Sequence, residues 1–552
     1  MTTMRKLAVG AFVLFAAHPA AYAAGTIVFA SSAGAHIDSD LMKGGGTDDT
    51  AVLQGLLDDA ASGKAVHLVI DGPALVSGLN VYGNTTVECT AGGGLYLKDN
   101  SSRAIIRNIH RSRGGIADEH IEVRGCFLNG NRKNQPSANI PRPDVPGFTG
   151  PSNKEADGTF ISGLQFLGVN YLSIKDVTLW NIRAFGALIG NANYVDIRGV
   201  IIDHGGGPNA DILEFANADG IHFKGPSRYI AIDSVKIRTC DDGLAFNAND
   251  FETDDITTRN DFGPYVGQGP ITDVTVSNVI LMGVTEGIRI LSSNERIDRL
   301  VISNVSGSVR RDFIEISHWI NRKSFGNVGS VILGNIAVEI DASHTPPEWR
   351  YPYIAVDARI ETLKLYHVVT NVVDKQPLLR MGRDTAIGEM DVDLTAVDPA
   401  LAGNILQLDE GSRIDRLKFS LNWKGSVIDK GKNPIVSHGR TAVHLQWVDT
   451  PPMFVQSRAV SSDASSIDVE FNQTLKSRAS VAGAEIAVNN RPVSIKDAAF
   501  RPNGMTIRYK LASPLRPNDQ VTWSYDERAG ELANLDGEFL HSVSEKKVPT
   551  PH

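Results

Sequence analysis

The stretch YVDIRGVIID (residues 194–203) alternates apolar and polar residues, and YIAIDSVKIRT (229–239) repeats the same pattern further along the chain. Such alternation marks a half-buried strand. Related runs extend in both directions. HIEVRGCFLNGN (120–131) and YLSIKDVTLWNI (171–182) precede it; ITDVTVSNVIL (271–281), RIDRLVISNVS (296–306), VGSVILGNIAV (328–338), IETLKLYHVV (360–369), IGEMDVDL (387–394) and RIDRLKFSLN (413–422) follow. Most are trailed by a second short strand, as in ADGIHFKG (218–225), DDGLAFNA (241–248), EGIRILSS (286–293), DFIEISHW (312–319), YIAVDARI (353–360), LLRMGRD (378–384) and ILQLDEG (405–411). Several short strands per repeat with almost no helix predict an all-β fold, a right-handed parallel β-helix spanning residues 24–448. A β-sandwich pair is the alternative for this region, and the number and uniformity of the repeats argue against it. Asn278, Asn304 and Asn335 recur after their strands and predict an asparagine ladder inside the coil.

A solenoid must cover its open end. GGGTDDTAVLQGLLDDAAS (44–62) has a helix-start signal at Asp48, Asp49 and Thr50, so an N-terminal capping helix is expected over 48–62. The texture changes at DTPPMF, and residues 449–552 show short strands between turns without the solenoid period. They predict a small β-sandwich resembling bacterial Ig-like modules, read as a spacer or end cap ahead of a carbohydrate-binding unit.

Residues 1–23 combine Arg5 and Lys6, an apolar run and a small-x-small site at Ala21-Tyr22-Ala23, the pattern of a cleavable signal peptide. A secreted or periplasmic monomer is expected, with no membrane span. The net charge of −9 gives no basic footprint for nucleic acid. Cys89, Cys126 and Cys240 are too few for a disulfide framework and read as buried free thiols.

Aligning the second strands stacks Asp219-Gly220-Ile221 on Asp242-Gly243-Leu244, then on Glu286-Gly287-Ile288 and Asp312-Phe313-Ile314. Coils of a parallel β-helix are separated by about 4.8 Å, so these residues are neighbours in space. Asp219, Asp241 and Asp242 then crowd one outer face, with Arg289 two coils above His222. Crowded carboxylates separate into one that keeps a proton and one that stays ionised, the pair glycoside cleavage requires. An inverting enzyme sets acid and base roughly 6.5–9.5 Å apart to admit a water. Asp219 and Asp242 each precede Gly and also suit plain turn residues; Arg289 also suits an ion pair with Glu286 or Glu315.

Asn217-Ala218-Asp219-Gly220, Asp241-Asp242, Gly267-Gln268-Gly269 and Arg289-Ile290-Leu291 resemble, in that order, the motif series of the polygalacturonases, glycoside hydrolase family 28 with the pectin-lyase fold. The resemblance implies Asp241 as general acid, Asp219 and Asp242 activating water, and Arg289 binding sugar, with uronate-containing polysaccharide as substrate. Gln268 stands where the family has histidine and Leu291 where it has lysine, and the second departure weakens the case for galacturonan. His222, Glu315 and His318 (beside Trp319) are further substrate-binding candidates. The loop 249–269 offers Phe262 and Tyr265 for stacking on sugar rings, while Asp254, Asp255 and Asp261 lack calcium-loop spacing. No cofactor or metal is expected. A polysaccharide lyase and a non-catalytic surface solenoid are the competing functions.

Overall fold

The computed structural model describes residues 26–136, 153–205, 218–249, 262–318, 324–341, 350–371, 376–397, 406–424, 454–471, 479–535 and 539–550, with short pieces at 343, 345, 435–437, 440–445 and 474–476. The leader, the junction near 449, Asn217, residues 206–215, Asp254, Asp255, Asp261 and Trp319 lie outside them.

Among the described residues, 26 strands form one parallel sheet that winds through the solenoid, strands of each coil pairing with those of the neighbouring coils. The turn of the coil is right-handed, the hand that crossovers between parallel strands take. Each coil points its apolar positions inward, where like stacks on like. Ile221 lies on Leu244, Leu244 on Ile288, Ile288 on Ile314, and Ile314 on Ile354. All five are buried, and the parallel column beside them runs Phe223, Phe246, Ile290, Ile316 and Val356. A slip of one residue would turn every such column to solvent, so the apolar alternation dictates the register.

The corners differ from the expectation in one respect. Asn304 donates to Asn278 at 3.2 Å and Asn335 to Asn304 at 3.1 Å, so the ladder forms. It lies on the outside of the solenoid, where all three residues are exposed. Their φ angles of 55–56° explain the choice of residue, because asparagine tolerates the left-handed region that a tight corner demands. At another corner Tyr171, Tyr194 and Tyr229, also left-handed, stack ring on ring at 4.8 and 4.9 Å.

The helix Thr50–Asp58, continued by a 3₁₀ turn over Asp59–Ser62, covers the N-terminal end. Leu53 and Leu57 are fully buried against the first coils. Among the described residues no helix is long and apolar enough to cross a membrane. Residues 454–548 form two antiparallel four-stranded sheets around one core that contains Trp523, Tyr509, Phe471 and Ile486.

The reading of the cysteines as free thiols is corrected: Cys89 and Cys126 form a disulfide, and only Cys240 is free and buried. The sequence separation of 37 is taken up by the coil, which returns the chain to a Cα–Cα distance of 4.8 Å. Closing a loop of this size restricts the unfolded chain, so Cys89→Ala is expected to lower stability by roughly 2–4 kcal/mol. Denaturant titration with and without reductant checks this; a variant that matches the oxidised wild type would refute it.

Candidate active site

The strands Ile221–Arg238, Asp242–Asn249, Ile271–Ser292 and Ile297–Ser317 lie side by side and carry the acids on their outer face. Asp242 pairs in register with Glu286, and Glu286 with Asp312. His222, Ala245, Arg289 and Glu315 form the next outward column. This is the register the aligned strands predict. Asp219, Asp241 and Asp242 each place a carboxylate oxygen within 4.8 Å of the other two. Asp219 and Asp242 are buried, whereas Asp241 is partly exposed.

That spacing is tighter than the acid–base interval expected above. Each carboxyl carbon lies about 1.2 Å behind its oxygen. The centres of two groups can therefore stand a further 2.5 Å or so apart, which falls in the lower part of the inverting range. One water fits between the oxygens, because two hydrogen bonds of about 2.8 Å span up to about 5.6 Å.

His222 Nδ1 lies 2.6 Å from Asp219 Oδ2, with both residues buried. Its ring stacks on Phe185 at 4.7 Å and tilts against Phe262 at 5.1 Å. Burial, reinforced by Lys224 and Arg289, holds the imidazole well below its ordinary pKa. The aspartate alone would push the other way, and burial wins because the ring is sealed between aromatic faces. The neutral ring then donates its Nδ1 proton to Asp219, which leaves Nε2 as an acceptor with no hydrogen-bond partner among the described residues.

Above the three aspartates stands a second acidic group, Glu286, Asp312 and Glu315, again with oxygens within 4.8 Å of one another. Either triplet has spacing that would suit a cation. In the upper one, two arginines supply the positive charge. Arg289 reaches Asp242 at 3.0 Å, Glu315 at 3.6 Å and Glu286 in closer contact. Arg311 reaches Asp312 at 2.6 Å, Glu315 at 3.1 Å and also Glu286. Burial raises Glu286, and the two guanidiniums more than offset it, so its pKa falls below the ordinary value. Burial pushes Asp242 well above the carboxylate range; Arg289 opposes the shift and Glu286, Asp219 and Asp241 add to it. One proton therefore stays in the Asp242–Glu286 pair, resting on Asp242. Asp312 is pushed up to about 8, first by burial.

Glu315 belongs to this ion network, as the alternative reading of Arg289 anticipated. Arg311, which the sequence reading missed, completes it; its signal was its place directly before the column residue Asp312. Gln268 lies on a segment anchored by Gly269 N to Ala248 O at 3.1 Å, and its side-chain nitrogen has no partner among the described residues. His318 accepts Ser293 Oγ at its carbonyl, 3.2 Å away, and no described hydrogen bond joins its ring to the acids. Phe262 packs with Phe160, Phe185 and His222, and Lys224 Nζ sits 3.6 Å over its ring. Tyr265 lies under the Arg111 guanidinium at 4.2 Å. Both rings are thus engaged within the protein.

Among solved structures the chain is similar to a family 28 exopolygalacturonase of Yersinia enterocolitica, at 15% identity over 77% of each chain with a TM-score of 0.39. An exopolygalacturonase of Thermotoga maritima matches at 12% identity over 72% of this chain and 92% of that one, with a TM-score of 0.42. A surface adhesin of Streptococcus pneumoniae also scores 0.42, at 12% identity over 76% and 100% of the two chains. No curated protein matches the sequence. Residues 152–306, the stretch that carries Asp219, Asp241, Asp242 and Arg289, match the model of the glycosyl hydrolases family 28.

Proposed function

We propose that the chain is an exported glycoside hydrolase that cleaves a polysaccharide with Asp219, Asp241 and Asp242. The observation that carries this reading is the convergence of three carboxylates on one outer face, with the Asp242–Glu286 pair retaining a proton while Asp219 is held by a neutral imidazole. Hydrolysis of a glycosidic bond needs a proton for the leaving oxygen and a base for water. Asp219, with the His222 N–H fixing its orientation, takes the proton of the attacking water. Asp241, the least buried of the three, takes up the resting proton of the Asp242–Glu286 pair and gives it to the leaving oxygen, and Asp242, left ionised, orients the water. Arg289 keeps Asp242 in place. The family match supports the reaction class. The leader pattern supports export, as does the Cys89–Cys126 disulfide, a bond that persists in oxidising compartments.

Mass spectrometry of products from a panel of acidic and neutral polysaccharides tests the proposal. Fragments carrying one added water per cut bond are expected, with proton NMR of the first product showing an inverted anomeric centre. Retention would make one aspartate a nucleophile. Unsaturated fragments without added water would replace hydrolysis by elimination, with the carboxylate triplet holding a cation instead.

A further inference from the structure

The bend that presents Asp241 is tied at each carbonyl from Thr239 to Asp242. Arg310 Nη2 donates to Thr239 O at 3.3 Å, and Thr285 Oγ1 donates to Cys240 O at 2.7 Å. Asp241 O accepts from both Thr285 N and Thr239 Oγ1, each at 3.1 Å. Gly220 N donates to Asp242 O at 2.8 Å. Side chains supply most of these bonds, and Thr239, Thr285 and Arg310 are all buried.

The neighbouring strands are shaped to deliver this clamp. Val284 pairs with Val309 and Glu286 with Asp312, so the single residue Thr285 faces two, Arg310 and Arg311. Such a bulge re-aims the side chains beside it, and bulges recur next to active sites. Here it separates two arginines. Arg311 goes to the acids Glu286, Asp312 and Glu315, while Arg310 goes to the threonines behind Asp241. Arg310 Nη2 donates to Thr285 Oγ1 at 2.9 Å. A hydroxyl carries one proton, so accepting from Arg310 leaves Thr285 to direct its own at Cys240 O.

We propose that Thr285 and Arg310 are positioning residues for Asp241, a buried clamp that fixes the peptides on either side of it and so aims its carboxyl. The inference rests on the hydrolase reading and extends it to residues outside the acid set. A misplacement of about 1 Å can cost about 10²-fold in rate. Asp241 is the partly exposed member of the triplet, so its side chain is the least held by packing. The clamp acts on its backbone instead.

Thr285→Val keeps the shape and removes the hydroxyl, whereas Thr285→Ser keeps the hydroxyl. The expected result for Thr285→Val is a kcat lower by about 10–100-fold with KM within about two-fold of wild type, and Thr285→Ser retains most of the turnover. Arg310→Lys keeps the buried cation and loses the guanidinium fork, so its kcat falls likewise; it carries the test if a thermal melt shows the valine variant unfolded. A clamp that works through Asp241 has nothing to aim once that acid is gone. Each substitution should therefore change the residual turnover of Asp241→Asn by less than about two-fold. A purely structural role would lower kcat alike in both backgrounds. That result, or an unchanged kcat in folded Thr285→Val, would overturn the inference while leaving the hydrolase reading standing. No cleavage of any polymer by the wild type would remove both.

Discussion

Asp241→Asn lowers kcat by about 10²–10⁴-fold while the chain stays folded, the range that loss of a positioned general acid produces. The replacement keeps shape and removes only the ability to ionise and deliver a proton. Asp241 is the partly exposed member of the triplet, so its charge is the least expensive to alter. Removing it also relieves repulsion on Asp219 and Asp242, so stability should hold or rise slightly. Product release on the best polymer gives kcat, and a thermal melt by circular dichroism reports the fold. Turnover within a few-fold of wild type would sink the assignment. Effects of Asp219→Asn and Asp242→Asn should not add to it, because residues acting as a unit lose function together.

Arg289→Met should destabilise the solenoid by about 3–5 kcal/mol at pH 8, the cost of leaving partners of a buried pair uncompensated. The guanidinium is buried and bridges three carboxylates from three neighbouring coils. Methionine keeps most of the stem, so the loss is one of charge. The pH dependence discriminates this cause from lost packing. Without Arg289, the folded-state pKa values of Asp242 and Glu315, already above their unfolded values, rise further, and that of Glu286 rises from below its ordinary value. Stability tied to such groups is present at low pH and is lost as pH climbs through the folded pKa. The deficit at pH 5, where the freed carboxylates take up protons, should therefore be clearly smaller than at pH 8. Guanidinium titrations at the two pH values measure it, and an equal deficit at both would assign the effect to packing.

Much of this site was legible before any coordinates. Strand alternation with a repeat orders the inward residues into columns, and once Ile221, Leu244, Ile288 and Ile314 share a column, Asp242, Glu286 and Asp312 must share another. The helix over the open end followed from its apolar spacing, while Asp49 at its start accepts from the backbone of His36 and Ile37 instead of capping the helix. Both readings depend on local pattern, which a periodic fold translates directly into position.

Other features depended on which coils meet and how deeply they are buried. Cys89 and Cys126 look unrelated along the chain and become partners because the coil returns one to the other. The asparagine ladder was read as internal, yet a left-handed corner points its side chains outward. Phe262 reads as an open sugar platform and instead closes over His222 and Lys224. The resting proton on Asp242 is set by the closeness of Glu286, by two arginines and by the exclusion of water, none of which alternation encodes. The sequence alone determined the solenoid, its register and the meeting of the three aspartates, because burial of a repeating apolar face admits one alignment. The tertiary structure decided how those acids are charged and which groups are already paired, because both depend on distance and desolvation across coils.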